Sequence, residues 1–280
     1  MSIQWFPGHM IGARKKAAES MRLIDLVIEV LDARVPQSSC NPTFEALRHG
    51  GQKPALKLLN KSDMADPEQT RLWLRHYNAQ PGVQGLALCS KKASDVARIL
   101  PACRALRRDR GRPDKPLRMM ILGIPNVGKS TLMNALLKRR VARVGDEPAI
   151  TKVQVLHKLG PDMTLIDTPG MSWPEMEPDT ASKLAATHSI GRAAYDDEDV
   201  AVSLANTLLR RYPELLAARF GSFPRPCDEH GPLAFIATSR HLLKAGAPDI
   251  ARAATTLLND FRSGALGRIS LETVEAQVAR

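Results

Sequence analysis

The sequence predicts an α/β protein, a mostly parallel sheet flanked by helices, followed by a smaller all-α domain. Three observations lead there. Compact apolar runs recur at Asp25 to Leu31, Pro54 to Leu59, Val83 to Leu88 and Met119 to Leu122, and the first two lead at once into polar motif loops. Dense runs of this length suit strands buried on both faces, the habit of a parallel sheet. The fourth run opens straight into Gly123-Ile124-Pro125-Asn126-Val127-Gly128-Lys129-Ser130 and then an apparent helix from Thr131. Beyond about Met176 strand signals stop, and Ala- and Leu-rich helical periodicity takes over. The expected division is residues 1–175 for the sheet domain and 176–280 for the helical one.

Composition limits what such a chain can serve. With 280 residues and 44% hydrophobic content it can bury one sizeable core and a second, smaller one. Lys plus Arg exceed Asp plus Glu by 40 to 29, a formal charge of +11 that favours a polyanionic partner. Aromatic content of only 4% argues for phosphate contacts over extensive base stacking. Cys40, Cys89, Cys103 and Cys227 lie far apart without metal-ligand spacing, so a reduced, cytosolic chain is expected. No apolar run approaches the roughly 18 to 20 residues of a membrane span. Trp5-Phe6-Pro7-Gly8-His9, ahead of Arg14, Lys15 and Lys16, reads as retained structure rather than a disposable leader.

Taken in order, residues 1 to 20 are an aromatic, Pro-Gly opening and a basic amphipathic stretch. Asp25 to Leu31 is the first strand, and Asp32-Ala33-Arg34-Val35-Pro36 begins the loop at its carboxyl end. Lys57 is awkward inside the second strand, because a lysine there must snorkel or find a partner. Asn60-Lys61-Ser62-Asp63 follows at once, and the third run ends in Cys89-Ser90-Lys91. Arg104 to Pro116 reads as an Arg-rich surface connector. Past the Gly-rich loop and its helix, Gly145 to Thr151 is polar. Short strands near Gln154 to Leu159 and Met163 to Ile166 lead into Asp167-Thr168-Pro169-Gly170. In the helical part, Val200, Leu204, Leu208 and Leu209 share a face, as do Ile250, Ala254, Leu257, Leu258 and Phe261. These stripes are core, and the last helix stops near Gly264. Arg210, Arg211, Arg219, Arg225, Arg252, Arg262 and Arg268 are each as open to solvation as to phosphate contact.

The chemistry sits in the loops. A strand that ends in a Gly-rich turn and opens a helix points successive backbone N–H groups, with the positive helix end, at one volume suited to polyphosphate. Asn126, Val127, Gly128, Lys129, Ser130 and Thr131 form that cradle: Lys129 reaches the outer phosphates and Ser130 offers a hydroxyl to Mg²⁺. In P-loop GTPases an N-K-x-D element reads guanine. Asp63 would accept from the base N1–H and exocyclic amine, a bidentate pattern adenine cannot match. Asn60 would bond the base and hold neighbouring loops, and the Lys61 stem would cover the ring face. Ser90 and Lys91 form the second base-contacting turn. Thr151 is the candidate to bind Mg²⁺ and the γ-phosphate from a switch loop, Asp167 would approach Mg²⁺ through water, and the Gly170 N–H would sense the γ-phosphate. Many GTPases orient the attacking water with a glutamine where this chain has Met171, whose thioether is too weak for the task. His9 is the candidate to replace it.

Order along the chain is informative. Conventional GTPases run phosphate loop, switch threonine, D-x-x-G, N-K-x-D and last base turn, whereas this chain places Asn60 to Asp63 and Ser90 before the phosphate loop. It resembles a circularly permuted P-loop GTPase. Permutation is physically cheap when every motif lies on a loop at the carboxyl edge of one parallel sheet. Gln4-Trp5-Phe6-Pro7-Gly8-His9-Met10, Asp32-Ala33-Arg34-Val35-Pro36 with Asn41-Pro42, and Asn259-Asp260-Phe261-Arg262-Ser263-Gly264-Ala265-Leu266-Gly267-Arg268-Ile269 sharpen the match. Together they resemble the ribosome biogenesis GTPase A family, of the permuted YlqF type. The resemblance implies a GTP-hydrolysing factor for late maturation of the large ribosomal subunit, stimulated by that particle. It also implies a helical domain that contacts rRNA and ribosomal proteins, and the catalytic role for His9. The G-x-x-N-x-G-K-S loop is similar to those in which the Asn126 oxygen helps hold K⁺ beside the phosphates. A cytoplasmic monomer is expected. A P-loop ATPase or small-molecule kinase would share residues 123 to 130 but has no use for Asn60 to Asp63. A non-hydrolysing or non-ribosomal RNA-binding switch is the other class.

Overall fold

In the computed structural model, which describes residues 9–138, 155–223 and 231–274, the four apolar runs become four neighbouring parallel strands. The elements run α1 (His9–Met21), β1 (Leu26–Asp32), α2 (Pro42–Gly50), β2 (Ala55–Asn60), α3 (Pro67–Asn78), β3 (Val83–Ala87), α4 (Ala93–Val96), α5 (Ile99–Leu106), β4 (Leu117–Leu122) and α6 (Lys129–Leu137). They continue with β5 (Val155–Lys158), β6 (Met163–Asp167), α7 (Pro178–Ala186), α8 (Asp197–Arg211), α9 (Pro213–Phe220), α10 (Gly231–Ser239), β7 (Leu243–Lys244), β8 (Ala247–Pro248) and α11 (Ile250–Ser263). The main sheet has the order β3-β2-β1-β4-β6-β5, and all its pairings are parallel except that of β5 with β6. Successive connections leave β1 in one direction and β4 in the other. Their carboxyl ends therefore flank the topological switch point where α/β sheets bind ligands.

Every residue of β1 and β2 is buried, as their unbroken apolar character requires. Within β1, Leu26, Ile28 and Val30 join one core while Val27 and Leu31 join the other. The second core includes Ala17 and Met21 of α1, Phe44 of α2, and Trp73 and Tyr77 of α3. The first runs unbroken from Ile121 and Leu165 through Leu132 and Leu184 to Leu204, Leu257 and Phe261 of the helical region. Leu209 and Ile250 lie half-buried at the margins of their stripes. Helix α11 ends at Gly264 in the left-handed region (φ 82°), after which the chain turns back to the sheet's carboxyl edge.

Lys57 finds a partner rather than snorkelling. It lies opposite Glu29 in the β1–β2 register, and its Nζ is 2.8 Å from Glu29 Oε2 and 2.6 Å from Glu45 Oε1. Cys40 Sγ is 3.1 Å away, and the Tyr77 ring centroid 4.9 Å. Burial alone would lower the amine's pKa, but Glu29 and its neighbours outweigh that and raise it. Glu29, Cys40 and Glu45 bring three ligand-type atoms within 4.8 Å of one another, but the Lys57 ammonium already stands among them.

Three expectations change. The helical region contains a small antiparallel ribbon, β7 with β8, because Ala245 and Gly246 take positive φ and close a tight turn. The Arg-rich connector is partly helix and partly anchored. Arg104 lies inside α5, Arg107 donates to the Asp25 carbonyl, and Arg110 joins Arg118 of β4 in pairing with the buried Asp25 carboxylate. Among the arginines of the helical region, Arg219 pairs with Asp260, and Arg262 donates to the Ala185 and Ala186 carbonyls and to Tyr195 Oη. Arg210 and Arg252 are exposed, whereas Arg225 lies outside the described residues.

Candidate guanine-nucleotide site

The phosphate loop leaves β4 at Gly123, where a Cβ would stand 2.9 Å from the Val30 carbonyl oxygen and 3.1 Å from Val127 Cγ2. Only glycine lets the loop lie so close to β1. At Gly128 (φ 95°) a Cβ would come within 2.2 Å of Asn60 Nδ2. Helix α6 then begins at Lys129, so its first-turn N–H groups open toward the loop. Lys129 Nζ donates to Asp167 Oδ1 at 2.6 Å, with both side chains buried. Thr168 Oγ1 donates to the Ile121 carbonyl, and the Met171 N–H reaches the Gly123 carbonyl at 3.3 Å. A Cβ on Gly170 would meet the Pro125 backbone at 3.2 Å. The D-T-P-G segment therefore lies directly along the phosphate loop.

The base end is tied to the same loop by side chains. Asn60 Nδ2 donates to the Val127 carbonyl at 2.7 Å while its Oδ1 accepts the Ser90 N–H at 3.0 Å, so one amide joins three loops. Lys61 takes a positive φ of 59°, and its Nζ donates to the Asn126 carbonyl at 2.7 Å and to Asp32 Oδ2 at 2.8 Å. The lysine expected only to cover the base also holds the phosphate loop. Asp32 also accepts both forks of Arg34, whose third donor reaches the Phe261 carbonyl in α11. Burial alone would raise the Asp32 carboxyl, but Arg34 and Lys61 hold it well below the usual carboxylate range. Asp63 and Lys91 are exposed at the rim, and Ser90 is half-buried between them and Asn60.

The switch side is described in part. Asn126 adopts φ 60° and its Nδ2 donates to the His188 carbonyl at 2.8 Å. Met171 is buried in the core cluster that holds Ala17 and Met21 of α1, so its thioether faces packing rather than solvent. His9 opens that same helix, and its side chain lies outside the described residues, as does Thr151. Ser130 and Asp167 bring hydroxyl and carboxylate oxygens to the loop, the hard donors Mg²⁺ takes. Asp32, Arg34, Asn41 and His188 carry contacts that the sequence did not assign. Asn41 Nδ2, for example, donates to the Met171 carbonyl at 3.0 Å. The D-A-R-V-P stretch at a strand's carboxyl end was the available signal for the first two.

Residues 118–212 match the family model described as 50S ribosome-binding GTPase. Along nearly its whole length the chain is also similar to named relatives. It is 37% identical to "Ribosome biogenesis GTPase A" of Bacillus pumilus over 99% of this chain and 100% of that one. The chain belongs to the ribosome biogenesis GTPase A family. It is 32% identical to "Mitochondrial ribosome-associated GTPase 1" of Bos taurus over 96% of this chain and 88% of that one. A solved GDP-bound YlqF superimposes with a TM-score of 0.66 at 26% identity, covering 93% of this chain and 99% of that one. GNP-bound YlqF from T. maritima gives 0.63 at 26% identity, over 94% and 98%. This member of the family is a GTPase: it hydrolyses GTP to GDP and phosphate, with guanine nucleotide as ligand and Mg²⁺ as the ion such sites take. The permuted order fits, since the 50S-type model spans the phosphate loop and D-T-P-G while Asn60 to Asp63 lie upstream of it. Among the described residues no helix is long and apolar enough to cross a membrane.

Proposed function

We propose that this GTPase is an assembly factor for the large ribosomal subunit, binding late precursors through rRNA and ribosomal proteins in a nucleotide-dependent way. The observation that carries this is the Asn126 junction. Its side chain bonds the chain just after α7, and its carbonyl is bonded by Lys61, so phosphate loop, base loop and helical region meet at one residue. The relatives' names and the +11 charge support a ribonucleoprotein partner.

In this reading residues 1–175 form the GTPase domain and 176–280 the helical, RNA-contacting one, with Arg210 and Arg252 exposed to meet phosphate. Asp63 reads guanine, with Asn60, Lys61, Ser90 and Lys91 around the base. Val127, Gly128, Lys129, Ser130 and Thr131 cradle the phosphates, and Lys129 stabilises the charge that develops on the transferring phosphoryl group. Mg²⁺, held by Ser130 and Thr151 with Asp167 behind water, would neutralise phosphate charge. Gly170 links the γ-phosphate to the chain leading into α7. His9 orients or deprotonates the attacking water, a role Met171 cannot fill from the core. Asn126 contributes to a K⁺ site beside the phosphates. The protein works as a cytoplasmic monomer.

Co-sedimentation with purified large-subunit precursors tests the reading. A non-hydrolysable GTP analogue should retain the protein on the particle and GDP should release it. Equal binding in both states would defeat the nucleotide-dependent role. Phosphate release in the same mixture tests the finer assignments: His9→Ala should depress stimulated turnover by about 10²-fold or more without loss of particle binding. Exchange of KCl for NaCl should slow the wild type, and equal rates in the two salts would count against K⁺.

A further inference from the structure

The N-K-S-D loop is completed by the last part of the chain. Arg268 Nη2 donates to the Ser62 carbonyl and Arg268 Nε to the Ala65 carbonyl, both at 2.9 Å, so one guanidinium spans the carbonyls on either side of Asp63. The Ile269 N–H donates to the Met64 carbonyl at 3.0 Å between them. The Asp66 N–H donates to Ser270 Oγ at 3.2 Å, and the single Tyr212 hydroxyl proton lies within reach of both Asp66 Oδ2 at 2.9 Å and the Ser270 carbonyl at 3.1 Å. Where the turn after α11 passes Met64, a Cβ on Gly264 would stand 3.3 Å from Met64 Cε, and Gly264 itself needs its positive φ of 82°.

We infer that Arg268 is a specificity-determining positioning residue for guanine, acting by fixing the backbone that carries Asp63. The inference rests on the reading of Asp63 as the base-contacting group. Asp63 is exposed and its side chain meets the Cys89 thiol, so beyond that one contact its aim follows the loop backbone. Two hydrogen bonds to one base edge demand a placement tighter than a loose loop allows, and discrimination by such a site collapses when its acceptors are misplaced. The planar fork of Arg268 suits two carbonyls at a fixed separation, which a lysine's point charge does not reproduce.

Fluorescent-nucleotide competition on the full chain, with GDP, IDP and ADP as competitors, tests this. IDP lacks only the exocyclic amine, so the GDP-over-IDP ratio reports the bidentate contact. Arg268→Ala should weaken GDP by about tenfold and bring that ratio toward one, while Arg268→Lys should recover part of it. A purely structural loss of folded protein would weaken both nucleotides equally, and a wild-type ratio in folded Arg268→Ala would overturn the inference. Should Arg268→Ala not fold, Ser270→Ala removes the neighbouring bond to the Asp66 N–H, and it too must lower the ratio for the inference to stand. Asp63→Asn is the control. A shift toward xanthosine nucleotides there, with no change in Arg268→Ala, sinks the inference alone; an unchanged guanine preference in Asp63→Asn sinks the base assignment and the inference with it.

Discussion

The phosphate end and the base end of the site are built in opposite ways. Residues 123 to 130 are contiguous, and their shape follows from a strand end, two glycines and a helix start. The base end is assembled from loops after three strands, one amide, one buried carboxylate and a segment more than two hundred residues away. The phosphate loop's shape is largely local, and Asn60 and Lys61 tie it to the base loop without setting it. A composite loop is only as well placed as its most distant contact.

The largest effect should separate the two ends. Lys129→Ala removes the charge facing the phosphates and should lower turnover by about 10³-fold or more, while the binding preference for guanine over adenine nucleotides stays intact. Single-turnover phosphate release and nucleotide competition measure the two halves, and a lost guanine preference would mean the ends are not separable. Asp32→Asn should act next, on the base end and on stability, because Lys61 and Arg34 would lose a buried counter-charge. A cost of about 3–5 kcal/mol by denaturant unfolding is expected. Since the folded-state pKa of Asp32 is depressed, its contribution is fully present above the unfolded value near 4 and is lost only as pH falls below that toward the folded value. Wild-type stability from pH 5 to 8 should therefore owe no slope to this residue. A clear slope in wild type that Asp32→Asn removes would contradict the depressed pKa.

Gly128→Ala is the smallest change and joins the two ends. The methyl would enter the space of Asn60 Nδ2 and strain a positive φ, so a cost of about 1–3 kcal/mol is expected. GDP affinity and Tm should fall together. If Asn60→Ala relieves the Tm loss in the double variant, the clash with the amide is its source.

What the sequence made legible follows the same division. The strands and the three nucleotide motifs could be read because each is a run of neighbouring residues with its own periodicity or turn chemistry. Lys57 could be recognised as out of place, but its partner could not, because Glu29 faces it only once β1 and β2 pair in register. The roles of Arg34, Asn41 and Arg268 were hidden for the same reason: each donates to a backbone carbonyl of a distant segment, and carbonyls carry no signature in a sequence. The β7–β8 ribbon was missed because strands of two residues offer no alternation to detect.

The Arg268 bonds also impose an order of completion during synthesis. Ser62 and Arg268 stand 206 residues apart, so at roughly 5–20 residues per second the translating ribosome makes the acceptors about 10–40 s before the donor. Once residues 123 to 130 are made, the nascent chain can have its phosphate loop while the backbone around Asp63 still lacks its outer restraints. If Arg268 sets the aim of Asp63, guanine selectivity matures later than phosphate binding, because its last restraint is made after every residue of the phosphate loop.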